Sequence, residues 1–506
     1  LHSKDLVNWR IVNHIYDRLP YDKYDRPAHG EGSWAPSIRY HKGMFYVYFC
    51  TPNDGLFVAR AKNPLGKWQL HQVLDVVKWE DPCPFWDEDG RAYLVHSIHR
   101  GGPAILHRMS EDGLQLLDNG VTVYHNVEEN PILEGLKMTK RNGYYYILAP
   151  AGGVETGWQT VLRAKDIYGP YEARRVLEAG DNGINGPHQG GLVETQTGEW
   201  WFLHFQSRGI YGRVCHLQPA RWTEDEWVVM GEDSDGNGTG TPVLGGKKPD
   251  VGRVWPVEIP QTSDEFDHKT LGLQWQWHGV PSPYWYYMDT AARETHTDGT
   301  GALRLYSVDQ TESWRNLGDS PNLLLQKTPA DRFSVTAKLR FIPNPQLKEK
   351  GEYCGFVLMG QDYATIRLAD TREGVMLQYV ECSEALKGRP EQIMKTVPMQ
   401  SVPLPKPYSG SYMSTTVPPA SPSAYMATDV FIRMDVRPQE RKGNVPDLTA
   451  RFFYSLDGRK WTELTEKPFI GKPGRWIGAK FGLYCNRSAS KNDSGWVQAD
   501  WINITE

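Results

Sequence analysis

The chain has 506 residues, enough for two or more domains that each bury a core of their own. Its 56 basic and 61 acidic residues leave a formal charge of −5, too near balance for the basic field that nucleic acid or an anionic lipid surface requires. Six cysteines without a CxxC or close pair indicate neither a zinc site nor a dense disulfide framework, so buried free thiols are expected, and no apolar run reaches the length of a membrane span.

The opening stretch, Leu1–Trp9 (LHSKDLVNW), is matched by four later segments: Leu56–Trp68, Ile105–Leu116, Val161–Tyr171 and Arg213–Trp227. Between them lie four hairpin units, whose returning strands start at Gly43 (GMFYVYF), Gly90 (GRAYLVH), Gly143 (GYYYILA) and Gly198 (GEWWFLHF). Apolar or alternating runs bounded by turn residues are the signal of a β-hairpin. A unit of several strands recurring at roughly 50 residues predicts propeller blades. Five second halves against four first halves predict a five-bladed propeller whose first inner hairpin lies upstream of Leu1.

Ahead of each glycine stands the residue expected to open the innermost strand. These are Ala35-Pro36 after Trp34, then Asp81, Glu134 and His188. Inner strands line the channel of a propeller, so the last three are predicted to meet on one axis.

Asp233–Asp250, rich in Gly, Asp and Pro, reads as an exposed connection. From Asp264 the repeat is replaced by separate alternating strands, among them Phe333–Phe341, Tyr363–Ala369, Gly374–Cys382 and Trp496–Ile504. Such strands without helical periodicity predict a β-sandwich. Residues 1–255 are therefore expected to form the propeller and 256–506 a concanavalin-like sandwich. Ser401–Tyr425, rich in Pro, Ser and Thr, reads as an exposed loop.

Two carboxyl groups on one channel suit glycoside hydrolysis, where one protonates the leaving oxygen and another activates water. Glu134, between apolar residues in NPILEGLKM, is the better candidate acid, and Asp81 the neighbouring charge. His188, in NGPHQGG, could orient a group, ligate a metal or contact the sugar. Taken singly, each has a plainer reading: Asp81 as a turn cap, Trp34 as core, Arg213 as an ion-pair partner. Aromatics at 12%, with 19 Trp, fit sugar stacking, although large β-cores use them too.

In SKDLVNW, GSWAPSIRYHKGMFYV, the Asp81 segment, ILEG, GEWW, GRVCHLQPARW and, in the second half, SPNLLLQKTPADRF, the chain resembles glycoside hydrolase family 43 with a C-terminal sandwich. The resemblance implies an inverting, exo-acting enzyme that releases β-D-xylose or α-L-arabinofuranose from xylan- or arabinan-type oligosaccharides. It makes Glu134 the general acid and Asp81 the acid that raises its pKa and orients it. Trp34 lines the sugar pocket, Arg213 reaches the sugar or the carboxylates, and His188 contacts the sugar and a central calcium, largely through water. Two departures stand out. The family's general base, an Asp opening the first inner strand, is expected in the half-blade predicted upstream of Leu1, and GPHQGG replaces the usual Gly-His-x-Asp. With no base recognised in this sequence, a non-catalytic carbohydrate-binding propeller is the alternative. Asp264 and Asp500 resemble positions that hold a calcium in such sandwiches, and exposed acids at strand ends account for them equally well.

Overall fold

A computed structural model describes residues 1–290, 301–310, 313–345, 351–404, 425–439, 447–488 and 495–506. The chain divides into two compact units. One comprises Leu1–Leu19, Gly30–Arg208 and Arg213–Pro260; the other comprises Pro20–His29, Gly209–Gly212 and Gln261–Glu506. Among the described residues the helices are short 3-10 turns such as Asp22–Asp25, and none is long and apolar enough to cross a membrane.

The first unit is a β-propeller. Strands β1 (His2–Ser3) and β2 (Trp9–Arg10) form a two-stranded sheet of their own. Four blades of four antiparallel strands follow. The first contains β3 (Ser37–His41), β4 (Met44–Thr51), β5 (Gly55–Ala61) and β6 (Gln69–Leu74). The second contains β7 (Trp79–Trp86), β8 (Ala92–Ile98), β9 (Ala104–Met109) and β10 (Val121–Tyr124). The third contains β11 (Lys137–Arg141), β12 (Tyr144–Ala151), β13 (Trp158–Ala164) and β14 (Glu172–Leu177). The fourth contains β15 (His188–Glu194), β16 (Trp200–Ser207), β17 (Arg213–Trp222) and β18 (Val228–Met230). Where the sequence predicts five blades, four complete ones are present.

The turn glycines set the hairpins. Lys42–Gly43 and Asn142–Gly143 both have positive φ at both positions, the tight turn that matches the twist of paired strands. A Cβ at Gly43 or Gly143 would meet nothing within 4 Å, so backbone conformation and not space demands glycine. Alternation then sends the two faces of a strand to different neighbours. In β12, Ile147 and Ala149 pack with Cys83, Tyr93 and Leu106 of the second blade. Tyr146 and Leu148 pack with Phe202, Trp227 and Met230 of the fourth. Each fully buried large side chain of this kind contributes about 1.5–3 kcal/mol.

The second unit is a sandwich of two sheets. One is ordered Gln276–Trp277, Leu324–Lys327, Lys480–Arg487, Glu352–Met359, Tyr363–Thr371, Gly374–Cys382, Gln392–Pro398. The other is ordered Tyr286–Asp289, Ala302–Tyr306, Trp496–Thr505, Phe333–Ile342, Met426–Gln439, Asp447–Ser455, Thr462–Glu463. Phe333–Ile342 alternates buried and half-buried residues, and its inward Phe333 and Phe341 join Phe356 and Phe481 of the facing sheet in one core. Of the Ser401–Tyr425 loop, 405–424 lie outside the described residues; Val402–Pro403 pairs with Met426–Ala427.

Two expectations need correction here. Asp264 and Asp500 are buried, not exposed, and protein donors occupy them: Asp264 accepts from Gln274 Nε2 and Trp275 Nε1, and Asp500 pairs with Lys338 at 2.7 Å. Among the cysteines, five are buried free thiols, whereas Cys215 is exposed.

Candidate active site

The heads of the inner strands meet. Strand β7 touches β3 and β4 on one side and β11 on the other, while β15 touches β12. Asp81, Glu134 and His188 are brought together there, with side chains linked across blades.

The register shows how. In β7, Glu80 pairs with Ser97 but Cys83 pairs with Val95, so a bulge of one residue lies between them. In β15, His188 pairs with Phe205 and Gly191 with Leu203, the same bulge at the same place. In the third blade Glu134 N–H donates to Pro150 O at 3.1 Å ahead of Lys137 paired with Leu148. In the first, Trp34 N–H donates to Cys50 O at 2.9 Å ahead of Ser37 paired with Tyr48. Trp34, Glu80, Glu134 and His188 therefore occupy one equivalent position in the four blades. Asp81 does not. It stands one residue on, with Gly135 and Gln189, and these three share positive φ of 54, 67 and 48°. The sequence alignment of Asp81 with Glu134 and His188 is thus off by one residue.

This offset gives Asp81 its task. Its Oδ2 accepts from Gly135 N–H at 2.7 Å and from Gln189 Nε2 at 3.0 Å, tying together the equivalent positions of three blades. Burial raises the Asp81 carboxyl above its ordinary range; the nearby Lys137 ammonium works against this and the Glu134 charge adds to it. Burial likewise lowers Lys137, although the Asp81 charge opposes it.

Glu134 keeps 15% of its side chain exposed, and its Oε1 lies 2.7 Å from Nε2 of His188, a ring with no exposure. Nδ1 of His188 is buried without a protein partner among the described residues. Trp34 is half-buried, donates Nε1–H to Gly30 O and lies 4.9 Å from the His99 ring. Arg213 opens β17 with its guanidinium 4.7 Å from the Phe205 ring centre. Although Arg213 reaches solvent, the protein packed around it lowers its basicity, and the charges of Glu134 and then Asp81 act in the opposite sense.

Sequence reasoning missed Glu80. It is 4% exposed, and carboxyl oxygens of Glu80, Asp81 and Glu134 lie within 4.8 Å of one another. His99 Nδ1 sits 3.0 Å from Glu80 Oε2. Burial pushes the Glu80 carboxyl up to about 9, with the Asp81 and Glu134 charges adding to the effect. The available signal was its place directly before Asp81, which is uninformative until the bulge is known.

Comparison with known proteins gives the family. Residues 1–228 match the model of glycosyl hydrolases family 43, and residues 263–505 match the beta xylosidase C-terminal concanavalin A-like domain. A protein of Xylanibacter ruminicola is 48% identical over 75% of this chain and 68% of its own length. A beta-xylosidase of Formosa agariphila is 35% identical over 99% of this chain and 83% of its own. A non-reducing end alpha-L-arabinofuranosidase of Bacteroides ovatus is 28% identical over 69% of this chain and 65% of its own. Among solved structures, the xylan beta-1,4-xylosidase of Bacillus halodurans shares the fold with a TM-score of 0.77 at 22% identity, covering 100% of this chain and 92% of that one. Both halves match families named for glycosidases, which favours hydrolysis over the binding-only alternative. A catalytic propeller and its companion sandwich, each recognised independently, make this chain a glycoside hydrolase belonging to glycosyl hydrolases family 43.

Proposed function

We propose that this enzyme removes a terminal pentose from a xylan- or arabinan-type oligosaccharide, with β-D-xylose as the sugar released and inversion at the anomeric carbon. The observation that carries the reading is a half-open carboxyl, Glu134, held by buried His188 beside buried Asp81. Glu134 protonates the glycosidic oxygen. Asp81 positions it through the Gly135 N–H and keeps negative charge beside it. Trp34 offers an aromatic face to the sugar, Arg213 a fork of donors, and His188 a ring that fixes the acid and borders the sugar. Xylose is supported by the name of the Formosa relative, and action at a non-reducing end by that of the Bacteroides relative.

Inversion requires a carboxylate base about 6.5–9.5 Å from the acid, and retention a nucleophile about 5–5.5 Å away. Glu80 and Asp81 lie too close to Glu134 for the base. Asp81 is also a poor nucleophile, since it is buried and its Oδ2 already holds two donors. A separate carboxylate as base is therefore the better reading. Hydrolysis of aryl β-xylosides and aryl α-L-arabinofuranosides, with the first-formed anomer followed by NMR, tests it. Rapid release of α-xylose is expected, and β-xylose formed first would overturn inversion. The name of the Bacteroides relative favours arabinofuranose as the second reading, which the same panel decides.

Two finer readings join this proposal. The β1–β2 sheet belongs to a fifth blade, in line with Leu1–Trp9 matching the second half of each repeat. His188, whose Nδ1 is buried and unpartnered among the described residues, would contact a central calcium largely through water, and such an ion would help hold the ring in place. Calcium should raise the melting temperature of chelator-treated protein and leave His188→Phe unmoved. An equal response from both would remove His188 as a ligand.

A further inference from the structure

We propose that Glu80 is a sugar-binding residue, whose Oε1 hydrogen-bonds one hydroxyl of the terminal pentose held against Glu134. The proposal rests on reading Glu134 as the acid, because that reading puts the sugar at this end of the axis.

Position is the first support. Glu80 occupies the same place in its blade as Glu134, His188 and Trp34 in theirs, at the head of the inner strand just before the bulge. It is aimed with them at the axis and not at the blade interior.

The second support is an unmet polar atom. Glu80 is 4% exposed, yet among the described residues Oε1 has no partner at hydrogen-bond geometry, the Arg100 backbone N–H near this carboxyl lowering its pKa only against the larger effect of burial. A buried polar atom left unpaired costs about 1–3 kcal/mol, so such an atom in a binding site marks where a ligand or water completes the pairing. Its companion Oε2 is anchored by His99 Nδ1, and the His99 ring packs 4.9 Å from Trp34. The carboxyl is thus held on the same support as the aromatic face offered to the sugar.

The third support is its protonation. With its carboxyl pushed up to about 9, Glu80 is neutral at neutral pH and presents both an O–H donor and an acceptor. A sugar hydroxyl can use either.

The experiment is a substitution cycle between enzyme and substrate. Wild type, Glu80→Ala and Glu80→Gln are compared on the cleaved aryl pentoside and on each of its monodeoxy analogues. Glu80→Ala should lower kcat/KM about tenfold on the parent sugar. On the one analogue lacking the contacted hydroxyl, variant and wild type should agree within about twofold. Equal loss on the parent and on every analogue would overturn the proposal. If Glu80→Ala does not fold, the same cycle is read on Glu80→Met, which fills similar volume without an oxygen that can bond the sugar. Leaving-group dependence separates the two readings. Glu80→Ala should lose equally with good and poor leaving groups, whereas only failure of the acid reading would remove the leaving-group dependence of Glu134→Gln.

Discussion

His188 Nε2 and Glu134 Oε1 stand 2.7 Å apart although 54 residues separate them in sequence. The two belong to adjacent blades, and the contact joins the heads of two inner strands. It also limits the rotamers of the Glu134 carboxyl without burying it, since 15% of that side chain remains open. A group that must pass a proton to substrate needs both properties, a fixed direction and an accessible face.

Glu134→Gln should lose about a hundredfold or more in kcat on pentosides with poor leaving groups, in keeping with the contribution of general acids. Aryl pentosides with activated leaving groups need little protonation and should lose far less. A steady-state comparison across leaving groups makes the check, and equal losses would remove Glu134 from the acid role.

Asp81→Asn and Asp81→Ala should differ. Asparagine retains an acceptor for Gly135 N–H and tolerates the left-handed backbone at this position. Its melting temperature should stay near that of wild type while kcat falls about tenfold or more with the lost charge. Alanine strands a buried N–H and should also cost about 1–3 kcal/mol of stability. Paired denaturation and rate measurements decide, and full activity in the asparagine variant would show that the Asp81 charge is idle.

Glu80 links stability to pH. Its folded carboxyl is pushed up to about 9 from an ordinary value of 4.5, so between those values the native state holds a proton that the unfolded chain has released. The contribution of this group therefore falls as pH rises, by about 1.4 kcal/mol per pH unit. Glu80→Gln removes the titration. Its stability relative to wild type should climb steadily from pH 5 to 9 in denaturant titrations; a constant gap would mean that Glu80 titrates normally.

His96 acts at the acid end. It is fully buried, stacked on Trp79 at 3.7 Å and bonded through Nε2 to His107 at 3.0 Å. Burial lowers it from 6.5 to about 3. The native ring stays neutral while the unfolded one gains a proton below pH 6.5, so stability present above that pH is lost as pH falls toward 3. His96→Gln should show a shallower loss between pH 6.5 and 4 in thermal melts. An unchanged slope would assign acid sensitivity to other groups.

The sequence alone determined the repeat, the two-part architecture and the strand heads from which the axis residues come. Turn glycines and alternating strands are local requirements, so they are written in consecutive residues: Gly43 and Gly143 are demanded by their own φ, and Phe333–Ile342 by its own alternation. Glu134 and His188 were legible because each stands at the head of a recognisable strand, while Asp81 was read one residue out of register. Tertiary structure decided the rest. A one-residue bulge at a strand head leaves no trace in an alternation that has not yet begun, so only the cross-strand pairing of Glu80 with Ser97 shows that Glu80, and not Asp81, matches Glu134 and His188. The same holds for the grouping of Pro20–His29 and Gly209–Gly212 with the sandwich residues, where Ile210 joins the core. Such membership follows from which side chains pack together across long separations, and neighbouring residues in sequence carry no record of it.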